Sequence, residues 1–559
     1  MRTESLLRRA YRKCWSFLPN KLLSILPSWR CLAFYPVIKP TDTLLQTWNS
    51  SHWEEYQKWL SIHAWQTLTH WELSYSACKL RVNPPKISVV TPVYNTEPAI
   101  LYECILSMRM QCYPYWQWIL VDDGSSRVDT KQLLASGVCK DPRIQVIFGQ
   151  SSLGISKATN LGIAQATGDF VVFLDHDDRL DLQALALIAA ELQAHPELDI
   201  IYSDRDMISE QGERYLHLFK PNWSPETLLS GNYIFHLMAY RRQMLLDLGG
   251  LRSEFDGSQD YDLILRAAEL HPQVAHIPKI LYHWRQHPAS VALNVNAKDY
   301  AFQAGAAALN AALQRRGISG GAQEIPGFWR GTYQLDLTTP EANTIQILAL
   351  HKELLAVDYA RFVSHLIAEH QPEQQYIAII STGLLAKDES TLTRLAAWLL
   401  HFDELAMVSG KIVTASGLLE YVGIYYNQDT SLVPVYQGFP ESEPGYMGVS
   451  QIVRNISAPH PECVIFKRSW WEKLQGFDPN LQGPHALLDF ALRAQALGGR
   501  SAIVPQCQFV RQQDDVWQID ETSEDFVYFH NRWHGYFEAG DPYYNSNLAQ
   551  NSRDMGLDI

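Results

Sequence analysis

The sequence places three carboxylates within four positions, Asp175-His176-Asp177-Asp178, directly after the apolar run Phe170-Val-Val-Phe-Leu. Placing so much negative charge directly after a buried strand costs free energy unless a partner compensates the charge. A divalent cation such as Mg²⁺ or Mn²⁺ binds carboxylate oxygens and can share substrate phosphates. The alternative is a solvated acidic turn at the start of the next helix, where Asp is favourable. The cluster alone leaves both interpretations open.

Two further polar clusters follow apolar runs. Asp122-Asp123-Gly124-Ser125 offers carboxylates that can accept hydrogen bonds from a base edge or ribose hydroxyls, although an ordinary Asp-Gly turn is common. Pro92-Val93-Tyr94-Asn95 presents a loop aromatic, and such a ring is usually a packing residue. Lys157 and Lys220 could reach a phosphate, but a single lysine is usually a solvated surface charge.

These clusters stand at the ends of predicted β-strands. The pattern predicts strands over residues 86–92, 116–121, 143–148 and 169–174, and helices over 99–110 and 154–166. Continuous apolar strands separated by helices imply a mainly parallel sheet covered on both faces. Ligands bind beyond the carboxyl ends of the strands in such sheets. We therefore expect all three polar clusters on one rim.

In this order and spacing, the motifs resemble those of the family 2 glycosyltransferases, which have a GT-A fold. The motifs are Pro92-Val-Tyr-Asn, Asp122-Asp-Gly-Ser, Asn160-Leu-Gly, Phe173-Leu-Asp-His-Asp-Asp, Tyr202-Ser-Asp, Lys220-Pro-Asn-Trp, Asn232-Tyr, Ser258-Gln-Asp-Tyr-Asp-Leu and Leu281-Tyr-His-Trp-Arg. The resemblance covers about residues 86–293. In particular, the set looks like that of the bacterial enzymes that extend lipopolysaccharide O-antigen or other surface polysaccharides.

The resemblance implies a role for each matching residue. The nucleotide-sugar site would comprise Pro92, Tyr94, Asn95, Asp122, Asp123 and Asp175, with Gln259 and Arg285 seating the acceptor or the diphosphate. The metal ligands would be Asp175, Asp177 and His283, and the catalytic base would be Asp260.

The chemistry of an inverting transfer makes these roles sensible. The reaction needs a base for the proton of the acceptor hydroxyl and a cation that stabilises the departing diphosphate. Asp260 and Asp262 do not share a helix face, so we expect one to face the cleft and the other to cap or pair, for instance with Arg266. An acidic first helical turn is the alternative for this segment, and a structural histidine is the alternative for His283.

An internal similarity indicates a second domain of related design. Leu248-Gly-Gly-Leu and Asp262-Leu-Ile-Leu-Arg-Ala are similar to Leu474-Gln-Gly-Phe and Asp489-Phe-Ala-Leu-Arg-Ala. Ser381-Thr-Gly stands where the first half has Asp175-His-Asp, and Leu487 stands in place of Asp260. We therefore expect this half to be a degenerate transferase domain without the same catalysis. The predicted limits are 1–85 for a leader, 86–330 for a catalytic GT-A domain, 340–545 for the degenerate domain and 546–559 for a tail.

Composition limits the partners and the location. The formal net charge of −14 argues against nucleic acid, because a phosphate backbone needs a basic face. Residues 1–40 nevertheless contain eight basic side chains against one acidic one, and Leu7, Tyr11 and Trp15 recur at helical spacing. Such a basic amphipathic leader either lies on an anionic membrane surface or packs on the protein. The scattered cysteines are typical of a reducing compartment, so we expect a cytoplasmic location. Any contact with the inner face of the cell membrane would be peripheral and would be made by the leader.

These observations predict an α/β protein whose GT-A type, mainly parallel sheet is flanked by helices and followed by a second, degenerate GT-A-like domain. The predicted activity is an inverting, divalent-cation-dependent transfer, with Mn²⁺ or Mg²⁺, of a hexosyl or deoxyhexosyl group from a nucleotide-diphosphate sugar. The acceptor would be a glycan or lipid-linked glycan in surface polysaccharide or lipopolysaccharide synthesis. The alternative is a non-catalytic nucleotide-sugar-binding scaffold of a polysaccharide assembly complex.

Overall fold

The computed structural model describes residues 50–63, 68–79, 81–209, 211–286, 299–351, 359–369, 374–427, 432–512 and 522–558. They form two compact units. The first comprises the described residues up to Lys220 together with those of Ile234–Ala308, and the second comprises Pro221–Tyr233 together with the described residues of Leu309–Asp558. These units differ from the limits predicted from sequence, 86–330 and 340–545, which stay predictions. The basic leader over residues 1–40 lies outside the described residues.

The first four of the strands described in the first unit agree closely with the sequence pattern, and five more strands follow them. In chain order, the strands are β1 (Ile87–Val93), β2 (Trp116–Asp122), β3 (Ile144–Phe148), β4 (Phe170–Phe173), β5 (Arg179–Leu180), β6 (Ile200–Ile208), β7 (Arg214–Leu218), β8 (Met238–Arg241) and β9 (Val274–Arg285). The helices are α1 (Ser50–His63), α2 (Leu68–Lys79), α3 (Pro98–Arg109), α4 (Val128–Leu134), α5 (Ile155–Gln165), α6 (Ala184–Ala194), α7 (Pro225–Leu228), α8 (Arg242–Asp247), α9 (Gln259–Ala268) and α10 (Asp299–Arg315). Helix α7 belongs to the second unit.

The sheet of the first unit has the strand order β3-β2-β1-β4-β8-β6-β9-β5, with β7 paired to β6. Strands β1 to β4 are parallel, whereas β8 runs antiparallel between β4 and β6, and β9 is again parallel to β6. The predicted α/β fold is therefore confirmed, with parallel pairing concentrated in the first four strands. Helix α5 packs closely on β1, because a Cβ at Gly162 would lie 2.4 Å from Val90 Cγ1.

The second unit contains the rest of the elements. Its strands are β10 (Gly320–Glu324), β11 (Tyr333–Leu337), β12 (Ile345–Leu350), β13 (Tyr376–Ser381), β14 (Leu384–Ala386), β15 (Leu405–Val413), β16 (Leu419–Tyr421), β17 (Ile424–Tyr426), β18 (Leu432–Pro434), β19 (Arg454–Ile456), β20 (Cys463–Lys467) and β21 (Arg500–Arg511). Its further helices are α11 (Tyr359–Ala368), α12 (Thr391–His401), α13 (Arg468–Leu474), α14 (His485–Ala496) and α15 (Glu524–Ala539).

The main sheet of the second unit repeats six strands of the first. Its order is β12-β13-β20-β15-β21-β14, and each neighbouring pair has the same relative direction as its counterpart in β1-β4-β8-β6-β9-β5. Strand β16 pairs with β15 as β7 pairs with β6. Within the described residues, however, β12 is an edge strand and nothing corresponds to β2 and β3. This topology supports the sequence-based prediction of a related but reduced second domain.

Two properties bear on the predicted location. None of the described helices combines the length and apolar character that crossing a membrane requires. The six cysteines in the described ranges are buried thiols. Neither observation tests the predicted compartment.

Candidate active site at the carboxyl edge of the first sheet

The polar clusters predicted to share one rim do so. Strands β2, β1 and β4 are parallel neighbours, so the loops that follow them leave the same edge of the sheet. The Asp123 amide donates to the Val93 carbonyl at 2.8 Å, which joins the ends of β1 and β2 directly. This edge is the candidate active site.

Asn95 fixes the loop after β1. Its side-chain oxygen accepts hydrogen bonds from the backbone amides of Ser126 at 2.7 Å and Arg127 at 2.9 Å. Its own amide donates to the Ser125 hydroxyl at 2.9 Å, and its φ of 50° is one that Asn tolerates. Beside it, Tyr94 is 50% exposed. The structure thus places Asn95 as the support of the loop and Tyr94 as its solvent-facing ring; Pro92 lies within β1.

The two aspartates after β2 have different environments. The Asp123 carboxylate accepts from the Ser152 hydroxyl and the Leu153 amide, both at 2.7 Å, and from the Gly154 amide at 3.0 Å. It therefore anchors the loop that leads into α5. Asp122 is fully buried; its Oδ1 accepts from the Ser125 amide at 3.3 Å, but its Oδ2 has no hydrogen-bond partner among the described residues. A buried acceptor of this kind calls for a donor, and a ligand can supply one.

The acidic segment after β4 divides into structural and exposed carboxylates. Asp178 is buried, and it accepts from the Tyr282 hydroxyl at 2.5 Å and the Arg285 amide at 2.6 Å. Burial, together with the charges of Asp177 and Asp175, raises the pKa of the Asp178 carboxyl well above its usual range. The side chains of Asp175 and Asp177 are 36% and 20% exposed. They are the two carboxylates of the segment that a solvent-borne cation can reach.

Arg285 is hydrogen-bonded to the backbone of this acidic segment. Its guanidinium is buried and donates to the carbonyls of Asp177 at 2.8 Å and Ser209 at 3.1 Å, and it pairs with Glu103. Burial lowers the pKa of Arg285. The structure therefore shows Arg285 as an anchor of the Asp177 backbone, and its predicted contact with substrate stays a prediction.

His236 joins the site although no sequence motif indicated it. Its Nε2 lies 3.5 Å from Asp175 Oδ2, and its ring stacks on Tyr282 with centroids 4.8 Å apart. Burial lowers the pKa of His236 to about 4, so the imidazole adds no positive charge near pH 7. The residue comes from the loop before β8, and only the tertiary fold brings it to Asp175.

Lys220 holds that loop in place. It is fully buried, and its Nζ donates to the carbonyls of Ser203 at 2.6 Å, Ile234 at 3.1 Å, Phe235 at 3.1 Å and His236 at 2.7 Å. Burial lowers the pKa of Lys220 well below its usual range. The expectation of a solvated surface charge or a phosphate ligand was therefore wrong for this lysine, because its ammonium group is used to fix the backbone that bears His236.

Helix α9 presents the predicted base. Burial raises the pKa of the Asp260 carboxyl, with a further rise from the charge of Asp175 and an opposing effect of His236. Asp260, Asp175 and His236 thus lie within range of one another's charge. Asp262 is fully buried, and its Oδ2 accepts from Arg252 Nε at 3.0 Å and Arg266 Nε at 2.9 Å. The expected pairing of Asp262 with Arg266 is observed, whereas the role of Asp260 as the base stays a prediction.

Gln259, next to Asp260, is used locally in this structure. Its Oε1 accepts from the Gly257 amide at 2.8 Å, across the turn that precedes α9. Its predicted contact with acceptor or diphosphate is not tested by this arrangement.

His283 lies in the interior of the sheet. It is fully buried, and its Nδ1 is 2.6 Å from Asp206 Oδ1. Although burial alone would raise it, the pKa of Asp206 is held at about 2 by Arg214 and His283. Across the described ranges, no three His, Cys, Asp or Glu side chains are grouped as a metal site. The structure therefore does not gather His283, Asp175 and Asp177 into one ligand set, and His283 as a metal ligand stays a prediction.

The pairing register identifies the corresponding positions of the second unit. Phe170 of β4 pairs with Arg241 of β8, as Tyr376 of β13 pairs with Lys467 of β20. Counting along the chain from these pairs gives the correspondence of Asp175 with Ser381, Asp177 with Gly383 and His236 with Glu462. At these three positions of the candidate site, the second unit thus has residues of different chemistry.

A structural ion pair is nevertheless retained in the second unit. Arg266 donates to Asp262 and to the carbonyls of Leu248 and Gly250, both at 2.7 Å. Arg493 likewise donates to Asp489 and to the carbonyls of Leu474 at 2.9 Å and Gly476 at 2.8 Å. The second unit therefore keeps this buried ion pair, whereas Leu487 stands at the position that corresponds to Asp260.

Comparisons with known proteins relate this part of the chain to glycosyltransferases. Residues 88–249 match the family model described as glycosyl transferase family 2. The O-antigen biosynthesis protein RfbC of Myxococcus xanthus is 30% identical over 527 residues, which are 85% of this chain and 41% of that protein. The uncharacterized protein y4gI of Sinorhizobium fredii is 28% identical over 85% of this chain and 59% of its own length. Chondroitin synthase of Escherichia coli is 28% identical over 36% of this chain and 29% of its own length.

The chain thus spans between about two fifths and three fifths of the two relatives that match most of its length. The family match includes the loops after β1, β2 and β4, and it ends before Asp260. These similarities and the matching motifs identify residues 88–249 of the chain as a glycosyl transferase family 2 segment.

Proposed function

We propose that the first unit transfers a sugar from a nucleotide-diphosphate sugar to a hydroxyl of a glycan or lipid-linked glycan acceptor, with inversion at the anomeric carbon. The observation that carries this proposal is the partly exposed pair Asp175 and Asp177 after β4, at the edge where the loops of β1 and β2 also end. Asp260 lies within range of the charge of Asp175. The family match over residues 88–249 supports the proposal. The relative named as an O-antigen biosynthesis protein points to surface polysaccharide or lipopolysaccharide synthesis.

Asp260 serves as the general base. Its carboxylate takes the proton of the acceptor hydroxyl while the acceptor oxygen bonds to the anomeric carbon and the bond from that carbon to the diphosphate breaks. The raised pKa of Asp260 favours this role, because a carboxylate that binds protons more tightly is a stronger base. Asp260 stands in the first turn of α9. The buried Asp262 of the same helix accepts hydrogen bonds from Arg252 and Arg266, which keep the helix in position.

Asp175 and Asp177 hold the divalent cation. Both are partly exposed carboxylates, the donor type that Mg²⁺ and Mn²⁺ prefer, and His236 Nε2 lies 3.5 Å from Asp175 Oδ2. When bound, the cation neutralises the charge of the departing diphosphate. Arg285 and Tyr282 keep the segment in position, and His283 is the candidate for a third ligand.

The loops after β1 and β2 bind the nucleoside. The exposed ring of Tyr94 offers a stacking surface, and the buried Asp122 Oδ2 offers an acceptor to a base N–H or a ribose hydroxyl. Asn95 and Asp123 fix the two loops, and Pro92 shapes the end of β1. The described residues of the second unit contain no counterpart of β2 and β3, and so none of the loop after β2. It serves acceptor binding, packing or dimer contacts.

A panel of donors tests the proposal. The full-length protein would be heated with UDP-, GDP- and dTDP-sugars, with and without Mn²⁺ or Mg²⁺, and then assayed for donor hydrolysis and transfer. We expect one nucleotide class to stabilise the protein only when metal is present. Asp177→Ala should lose that stabilisation and the transfer, whereas the exposed control Asp129→Asn should keep both. Metal-dependent binding without hydrolysis or transfer would favour the scaffold alternative and refute the enzyme.

A further inference from the structure

The beginning of helix α5 binds carboxylates from two different loops of the first unit. Asp123, in the loop after β2, accepts a hydrogen bond from the Gly154 amide at 3.0 Å. Asp256, in the turn before α9, accepts a hydrogen bond from the Ser156 hydroxyl, although the two residues are 100 positions apart in the chain. One helix start therefore holds both a loop of the proposed nucleoside site and the turn that leads into α9.

The residues at this helix start are suited to the approach of Asp256. Ser156 is fully buried, and a buried hydroxyl requires a hydrogen-bond partner. Gly154 has a φ of 92°, which favours glycine, and a Cβ at this position would lie 3.0 Å from Asp256 Oδ2. The positive end of the helix dipole also attracts a carboxylate. A buried donor and a backbone without a side chain thus stand where Asp256 reaches α5.

The turn that begins at Asp256 leads directly to the proposed base. Asp260 follows four residues later, in the first turn of α9. Within the turn, the Ser258 amide donates to the Phe255 carbonyl at 2.8 Å, and the Ser258 hydroxyl donates to the Ala301 carbonyl at 2.7 Å. The turn is therefore held by α5 through Asp256 and by α10 through Ser258. Because the connection is so short, a displacement of the turn would also displace Asp260.

We propose that Asp256 is a positioning residue for the base Asp260. Its hydrogen bond with Ser156 fixes the start of α9 to the same helix that Asp123 fixes beside the nucleoside loop. The base thereby keeps its place relative to the bound donor, while Asp256 acts through the helix and is not itself a catalytic group. The role of Asp260 as the base rests on the proposed function. The anchoring of α9 by Asp256 and Ser156 does not.

The test compares Ser156→Ala, Asp256→Ala and the double variant of the full-length protein. The control is Thr159→Val, which removes a buried hydroxyl of the same helix whose hydrogen bond of 2.8 Å to the Ile155 carbonyl stays within α5. Initial rates of nucleoside diphosphate release are measured with the UDP-, GDP- or dTDP-sugar that supports turnover. A misplacement of about 1 Å can cost about 10²-fold, so each single variant should lower kcat about tenfold at an unchanged donor KM.

The double variant should lose no more rate than either single variant, because both changes remove the same contact. Asp256→Asn keeps an acceptor oxygen for the Ser156 hydroxyl and should retain most of the rate. Thr159→Val should behave like the wild type. Multiplicative losses in the double variant, an equal loss in Thr159→Val, or a raised donor KM at unchanged kcat would each overturn the positioning role.

Hydrogen exchange supplies a second readout that needs no activity. The backbone amides of residues 257–262 should exchange faster in Ser156→Ala and Asp256→Ala than in the wild type and in Thr159→Val, because the turn has lost one support. Ser156→Ala alone carries this comparison if Asp256→Ala does not fold. Identical exchange over 257–262 in all of these proteins would overturn the anchoring. Faster exchange in the two variants of a protein whose wild type neither transfers nor hydrolyses a donor would support the anchoring while refuting the proposed function.

Discussion

Replacing Asp260 with Asn separates catalysis from stability. The change removes the proton-accepting oxygen and keeps the size of the side chain. Asp260 stands in the first turn of α9, where its pKa is raised by burial and by Asp175. The structure therefore predicts opposite effects on rate and on stability.

The expected loss of rate follows from the role of the residue. A positioned general base contributes about 10²–10⁴-fold, or about 3–5 kcal/mol of transition-state stabilisation. The substitution should have the opposite effect on the stability of the folded protein. A pKa raised above its ordinary value of 3.8 means that the folded protein disfavours the charged form. Stability is therefore lost as the pH rises from about that value through the folded-state pKa, and the cost persists at neutral pH. Asp260→Asn removes this cost, so its unfolding temperature should equal or exceed that of the wild type.

The assay is initial-rate transfer across pH 4–8 at saturating donor and metal, paired with thermal unfolding at pH 7. The wild-type rate should fall on the acid side as Asp260 takes up its proton, and the variant should lack that limb. Asp129→Asn, which removes an exposed carboxylate paired with Arg127, is the control and should leave both readouts unchanged. Wild-type transfer by Asp260→Asn would refute the base assignment. A variant that unfolds at a markedly lower temperature would refute the account of its pKa.

Two further predictions concern the framework. Asp262→Asn should lower the free energy of unfolding by about 3–5 kcal/mol, because it leaves Arg252 and Arg266 without a buried carboxylate. Denaturant titration measures the loss of stability, and a loss below about 1 kcal/mol would contradict the prediction. Calorimetry with the donor found in the panel should give one site per chain, since Ser381 and Gly383 stand in place of the acidic pair; two equivalent sites would show that the second unit also binds donor.

Local sequence patterns were sufficient for the elements that present the site. Apolar runs and helical spacing predicted β1, β2, β3, β4, α3 and α5 to within about two residues, because both patterns are local properties of the chain. The same patterns predicted that the loops of β1, β2 and β4 meet. They also indicated the second domain, whose retained pair Asp489–Arg493 and altered positions Ser381 and Leu487 are visible in the chain.

Contacts across the sheet depend on the tertiary structure alone. His236 reaches Asp175, Arg285 is buried under Asp177, and Tyr56 reaches Asp206, in each case across some 60 to 150 residues of chain. Such pairs have no periodicity that a single sequence can show, since they arise only when β6, β8 and β9 align beside β4. The sequence by itself therefore determined the carboxylates that leave the strands and the strands that bear them. Only the fold decided which polar side chains are buried as supports and which remain exposed to a substrate, because burial depends on neighbours that are distant in the chain.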